Sequence, residues 1–233
     1  MINNVIEYWD NNLVERHIGT EINWLFSYLD ENKINEVSYI DIGSNVGKFY
    51  DVISKKYTIK NCIMVEPSKV LFDHMSEKYL GINSIELHNF AISDENGNYE
   101  LDTSVNDSIN YFNEIGIDES INLGLTKLDK KKSGNTLCYS MEYFLKNINT
   151  IPLKDITFIK IDTENNDLQI IKSMTELFKN NNINPFILFE NNYHNDMSDV
   201  SAKEIMSNFT KECGYEEVDL SYAGDNFIKP IKK

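Results

Sequence analysis

The sequence is 233 residues long with 41% hydrophobic and 12% aromatic side chains, enough for one domain with a substantial core. Its 37 Asp and Glu against 22 Lys and Arg leave a net charge of −15, which argues against nucleic acid or an anionic membrane surface as partner. No apolar run approaches the roughly 20 residues that span a bilayer, and the opening residues lack a signal-peptide pattern. Cys62, Cys138 and Cys213 are scattered and form no CxxC pair, which fits a reducing, cytoplasmic setting.

Residues 1–36 read as a helical extension, with Ile18, Ile22, Leu25, Phe26 and Leu29 at helical spacing. From 37 to 233 the pattern alternates, and this part is expected to be the main domain. Strands are predicted at 37–42, 61–66, 84–90, 156–161 and 185–190, and helices at 47–56, 68–80, 166–179 and 199–212. Such alternation implies an α/β fold with a parallel sheet and helices on both faces. Tyr215 to Leu220 and Asn226 to Lys229 read as a closing antiparallel hairpin at the sheet edge, turned at Gly224. Between 101 and 135 the alternation breaks. That polar stretch is expected to be a flap or insertion over the cofactor, with Lys130 to Lys132 in a solvated turn.

The chemistry concentrates where the first predicted strand meets its helix, at Asp41-Ile42-Gly43-Ser44-Asn45-Val46-Gly47. A glycine turn lets backbone N–H groups approach a ligand, and an acid ending the next strand, here Glu66, is placed for a ribose diol. The turn is DxGxxxG, not the GxGxxG of dinucleotide sites, and its leading Asp41 would repel a pyrophosphate. A cofactor carrying an amino group and a sulfonium, such as S-adenosylmethionine, suits it better than a nicotinamide dinucleotide.

The stretches DIGSNVGKFY, VEPS, NFAISDENGNYEL, FIKIDTENNDLQIIKSM and PFILFE follow in that order, with a weaker echo in the closing DNFIKP. Together they resemble the FkbM family of methyltransferases, whose pattern runs DIGANxG, VEP, a segment with Asn and Ala, a Lys-Ile-Asp core leading to EGxE, and a late strand ending in Glu. The resemblance covers about residues 37–191. It implies a Rossmann-like class I methyltransferase fold with a seven-stranded, mostly parallel sheet whose last strand is antiparallel. It also implies S-adenosylmethionine as methyl donor and an oxygen acceptor, often on a sugar or polyketide. By that resemblance Asp41, Gly43, Asn45 and Gly47, with Ser44 in the same turn, surround the methionine end of the cofactor. Glu66 matches the ribose-binding acid, Asn89 and Ala91 lie near the adenine, and Asp162 and Glu164 stand beside the transferred methyl. The chain departs from EGxE: Asn165 replaces the glycine and Asp167 the second Glu, which bears on the acceptor more than on the cofactor.

Methyl transfer to a hydroxyl needs in-line alignment and a proton acceptor. Asp162, Glu164, Glu190 and His194 all fall at predicted strand ends, where α/β sites form. Asp162, Glu164 and Glu190 would also suit Mg²⁺, which the spacing does not require, and no Cys/His cluster suggests zinc. The expected activity is O-methylation of a sugar or glycan-like small molecule, without nucleic acid or membrane as partner. A non-catalytic module that keeps the pocket is the alternative. The acceptor's identity and the oligomeric state are not legible.

Overall fold

The computed structural model describes residues 19–102, 127–163, 166–181, 183–190, 199–219 and 225–231. A seven-stranded sheet forms its centre. In chain order its strands are β1 (Glu36–Ile42), β2 (Thr58–Val65), β3 (Ile85–His88), β8 (Phe158–Ile161), β9 (Phe186–Glu190), β10 (Tyr215–Asp219) and β11 (Asp225–Pro230). Their spatial order is β10-β11-β9-β8-β1-β2-β3. Pairs β1–β2, β2–β3, β1–β8 and β8–β9 are parallel, while β11 runs antiparallel to both β9 and β10. The closing hairpin is present, with its last strand inserted next to β9 and β10 left at the edge.

The central strands read as unbroken apolar runs because both faces are covered. Alternation along each strand divides the core in two. Ile40, Ile42, Ile63, Val65, Ile159, Ile161, Ile187 and Phe189 point to one side. There they meet α4 (Met141–Asn147), α5 (Asp167–Asn181) and α6 (Asp199–Cys213). Val37, Tyr39, Cys62, Met64, Phe158, Phe186 and Leu188 point to the other. There they meet α1 (Gly19–Glu31), α2 (Lys48–Ile53) and α3 (Lys69–Lys78). Each fully buried Ile or Leu contributes about 1.5–3 kcal/mol, so this sheet is a rigid platform. Winding runs outward from β1 in both directions, to β2 and β3 on one side and to β8 and β9 on the other. Ligands of open α/β sheets bind at such a switch point, beyond the strands' carboxyl ends.

A second sheet was not legible in the sequence. It has the order β4-β7-β5-β6, from β4 (Ala91–Ser93), β5 (Gly97–Asp102), β6 (Lys127–Ser133) and β7 (Thr136–Ser140). Three expectations change here. The strand expected at 84–90 is shorter: β3 ends at His88 in the large sheet, and a separate strand, β4, begins at Ala91 in the small one. The flanks of the expected flap are strands β5 and β6, and residues 103–126 lie outside the described residues. Lys130 to Lys132 lie within β6 rather than in a turn, but bulge from its ladder with β5, whose register passes from Tyr99–Ser133 to Glu100–Asp129, and Lys130 pairs with Asp94. Among the described residues no helix is long and apolar enough to cross a membrane.

Candidate functional site

The turn at 43–47 is held by close backbone packing. Gly43 has φ +76°, and a Cβ there would lie 1.8 Å from the Asp162 carbonyl oxygen, so only glycine lets β1 and β8 end this near each other. Gly47 has the same φ, and a Cβ there would meet the Tyr79 ring. The Tyr79 hydroxyl donates to the Gly47 carbonyl (2.6 Å), and Lys78 Nζ donates to that of Val46 (3.0 Å). Two consecutive residues at the end of α3 thus fasten the turn from behind.

Four amides of this turn, those of Gly43, Ser44, Asn45 and Gly47, are already engaged. Gly43 N–H and Ser44 N–H donate to the Val65 carbonyl (2.9 and 3.2 Å), and Gly47 N–H to that of Ser44 (2.8 Å). Asn45 N–H donates to Glu66 Oε2 (2.9 Å). This corrects the expectation that the turn offers its N–H groups to a ligand: they close the turn on itself and on β2. The Ser44 hydroxyl likewise turns inward, donating to the Asp41 carbonyl (2.8 Å). An anion cradle needs free amides, so this geometry also disfavours a pyrophosphate.

Glu66, 4% exposed, lies just past β2. Its Oε1 accepts from Ser68 N–H (2.8 Å) while Oε2 holds Asn45. Each oxygen keeps a lone pair for a hydroxyl donor. Burial pushes its carboxyl up to about 7, against the pull of the two backbone donors and of Lys160. Asn89 Nδ2 donates to the carbonyls of Glu66 (2.9 Å) and Pro67 (3.0 Å), fixing the strand end from the β3 side. Ala91 is buried in β4.

Asp41 is fully buried, and neither carboxylate oxygen accepts a hydrogen bond. Its neighbour is Lys160, whose Nζ lies 3.3 Å from Asp41 Oδ1. Burial raises the Asp41 carboxyl above the usual range, opposed by Lys160. Asp41 is therefore not free to serve a ligand's charge alone; it shares a buried cation that the sequence reading missed. The signal was a single lysine in the otherwise apolar β8, Phe158-Ile159-Lys160-Ile161. Lys160 Nζ also reaches Asp162 Oδ2 (3.1 Å) and the Gly43 carbonyl (3.3 Å).

Of the four expected proton acceptors, Asp162 is placed at the mouth of the turn, its side chain 44% exposed. Glu164 and His194 lie outside the described residues. Glu190 ends β9 opposite Asp225, and its side chain is outside them as well. Asp167, the replacement for the second Glu of EGxE, is buried and accepts from Thr163 N–H (2.9 Å) and Thr163 Oγ1 (2.5 Å). Asn166 Nδ2 donates to Ser93 Oγ (2.9 Å) and ties the same segment to β4. These side chains shape the loop after β8. Among the described residues, no group of three or more His, Cys, Asp or Glu is placed to hold a metal ion.

Residues 41–217 match the methyltransferase FkbM domain family. No curated protein matches the sequence. Among solved structures, the chain is similar to a candidate caffeoyl-CoA O-methyltransferase from Staphylococcus aureus, with a TM-score of 0.50 and 13% identity. That match covers 98% of this chain and 91% of the other. An FkbM methyltransferase from Methylobacillus flagellatus KT has a TM-score of 0.49 at 15% identity, over 84% of this chain and 44% of that one. The chain thus spans less than half the length of that protein. An Aquifex aeolicus SAM-dependent methyltransferase has a TM-score of 0.46 at 10% identity, over 98% of both chains. At 13% identity the likeness to the Staphylococcus aureus structure speaks to the fold alone.

Proposed function

The chain belongs to the FkbM methyltransferase domain family, and from that premise we propose that it is an S-adenosylmethionine-dependent O-methyltransferase acting on a hydroxyl of a sugar or glycan-like small molecule. The residues fit that cofactor. Asp41 presents a buried carboxylate whose Oδ2 accepts no hydrogen bond and whose Oδ1 is paired with Lys160 at 3.3 Å, beside a turn in which four amides are spent. That arrangement favours a cationic ligand over a phosphate. Bound S-adenosylmethionine would supply a methyl group already activated on a sulfonium. Glu66 would accept the ribose hydroxyls, Asn89 would hold the Glu66 strand end, and Gly43 and Gly47 would keep the turn open to the methionine end.

The observation that carries the oxygen acceptor is Asp162. It is a half-exposed carboxylate at the carboxyl end of β8, against the glycine turn, held by Lys160. A sugar hydroxyl is a weak acid and must lose its proton as the C–O bond forms. Asp162 would take that proton, with Glu164, Glu190 and His194 as further candidates from the neighbouring strand ends. The glycan-like class rests on the acid-rich chain and on the family resemblance.

Calorimetric titration with S-adenosylhomocysteine, with NAD as control, tests the cofactor. One-to-one binding of the former alone is expected, and Glu66→Ala should weaken it severely. A protein that binds neither ligand would sink the reading. Transfer is then assayed on a panel of sugars and polyols. Asp162→Asn should bind the product and lose transfer; full activity in that variant removes Asp162 from the mechanism. Binding without transfer to any hydroxyl would favour a non-catalytic module.

A further inference from the structure

Lys160 stands directly opposite Asp41 in the β1–β8 ladder, on the face packed by α1, α2 and α3. It is 8% exposed, and the Phe49 ring lies 5.7 Å from its ammonium. A buried ammonium is costly unless paired, and a leucine or methionine would fill this position without that cost. The pairing is unequal: one cation faces two carboxylates, Asp41 at 3.3 Å and Asp162 at 3.1 Å, plus the Gly43 carbonyl. Without Lys160 the Asp41 and Asp162 carboxylates would lose the cation that contacts both.

Resting on the cofactor reading above, we infer that Lys160 is a positioning residue that balances the charge of the transfer site. It offsets one of the two carboxylates, so that the site does not overbind the positively charged methyl donor relative to its neutral product. The reasoning follows from differential binding. The ligand loses one positive charge on each turnover, so a site complementary to the donor's charge would stabilise the ground state and slow the reaction. Such a site must attract the cation enough to bind it and no more. The same contacts fix Asp162 beside Gly43, because Lys160 touches the turn and the acid together.

Four proteins test this by binding alone: wild type, Lys160→Met, Asp162→Asn and the double variant Lys160→Met/Asp41→Asn. Each is titrated separately with S-adenosylmethionine and S-adenosylhomocysteine, and the ratio of the two Kd values is read. Removing the cation should shift the ratio toward the charged ligand by at least roughly tenfold, and Asp162→Asn should shift it the other way. The double variant removes one charge of each sign, so its ratio should return to within about threefold of wild type. A purely structural role would weaken both ligands in parallel, and an unmoved ratio in Lys160→Met overturns the inference while the cofactor reading stands. Should Lys160→Met fail to fold with Asp41 left uncompensated, Asp162→Asn decides, since an unmoved ratio there overturns it equally. Wild-type protein that binds neither ligand overturns the cofactor reading, and this inference with it.

Discussion

The seven-stranded sheet presents apolar residues to helices on both faces, whereas β5 and β6 of the four-stranded sheet have no buried residue among those described. The first is cemented by packing and the second by its ladder, by Lys130–Asp94, and by contacts through β4 and β7. Of the proposed cofactor residues, Asp41 and the turn that follows it, and Glu66, stand at the strand ends of the first, and Ala91 lies in the second. The second can drift in sequence without disturbing the turn. Substitution costs should therefore divide by sheet, and the largest should fall where backbone meets backbone at the turn.

Gly43→Ala should be the most damaging single change. Its Cβ would lie 1.8 Å from the Asp162 carbonyl at a φ of +76°, so β1 and β8 must part, a cost above about 4 kcal/mol. Gly81, after α3, has φ +86° with nothing within 4 Å, so Gly81→Ala carries only the backbone strain of about 1 kcal/mol. Urea denaturation of the two variants compares crowding with strain. Equal losses would break the claim that close approach, not φ, makes Gly43 indispensable.

Glu66 gives the next effect, through pH. Burial pushes its carboxyl up to about 7 in the folded chain, against 4.5 for a free glutamate, so the folded state holds its proton more tightly. Stability from this group is therefore highest below pH 4.5 and declines as pH rises to about 7, by on the order of 3 kcal/mol. Binding of S-adenosylhomocysteine should run the other way and weaken below about pH 7, since the ribose hydroxyls need the ionised acceptor. Glu66→Gln should flatten the stability slope. An unchanged slope in that variant assigns the titration elsewhere.

Tyr79→Phe should cost less, about 1 kcal/mol, by removing the shorter of two hydrogen bonds to the Gly47 carbonyl, which keeps the Asp51 N–H at 3.3 Å. A several-fold weaker affinity for S-adenosylhomocysteine is expected with it, because the turn loses its rear fastening. Affinity equal to wild type would show that Lys78 and the β2 contacts hold the turn unaided.

These differences also explain what could be read in advance. β1, β2, β8 and β9 were legible because a strand covered on both faces needs an apolar run, and the glycine turn because its φ values demand glycine. The hairpin was legible from its bracketing polar turn. β5 and β6 were not, since Gly97-Asn98-Tyr99-Glu100 and Lys130-Lys131-Lys132 carry no burial signature. The site divided likewise. Asp41 and Glu66 were visible as acids at strand ends, but their surroundings depend on contacts distant in sequence. Lys160 lies 119 positions from Asp41 and meets it through strand register alone. Asp167 was readable as a charge; that it turns inward to Thr163 depends on the loop's conformation.

Lys130→Ala measures the small sheet, and the smallest effect is expected there. Lys130 pairs with Asp94 at the end of β4, with side chains 28% and 34% exposed, and holds the Asp94 carboxyl below its usual range against the upward push of burial. A partly exposed pair is screened by solvent and salt, so its loss should cost only about 0.5–1 kcal/mol, shrinking further at high ionic strength. Asp94 also accepts from Ser93, and Ser93 in turn accepts from Asn166 of the loop after β8. That chain of contacts is one route from the small sheet to Asp162, beside the Asn166 hydrogen bond to the Ile92 carbonyl. If the sheets are energetically separate, Lys130→Ala leaves the affinity for S-adenosylhomocysteine at the wild-type value while stability drops slightly. If affinity falls in step with stability, the route through Ser93 and Asn166 couples them, and the small sheet supports the transfer site as well as flanking it.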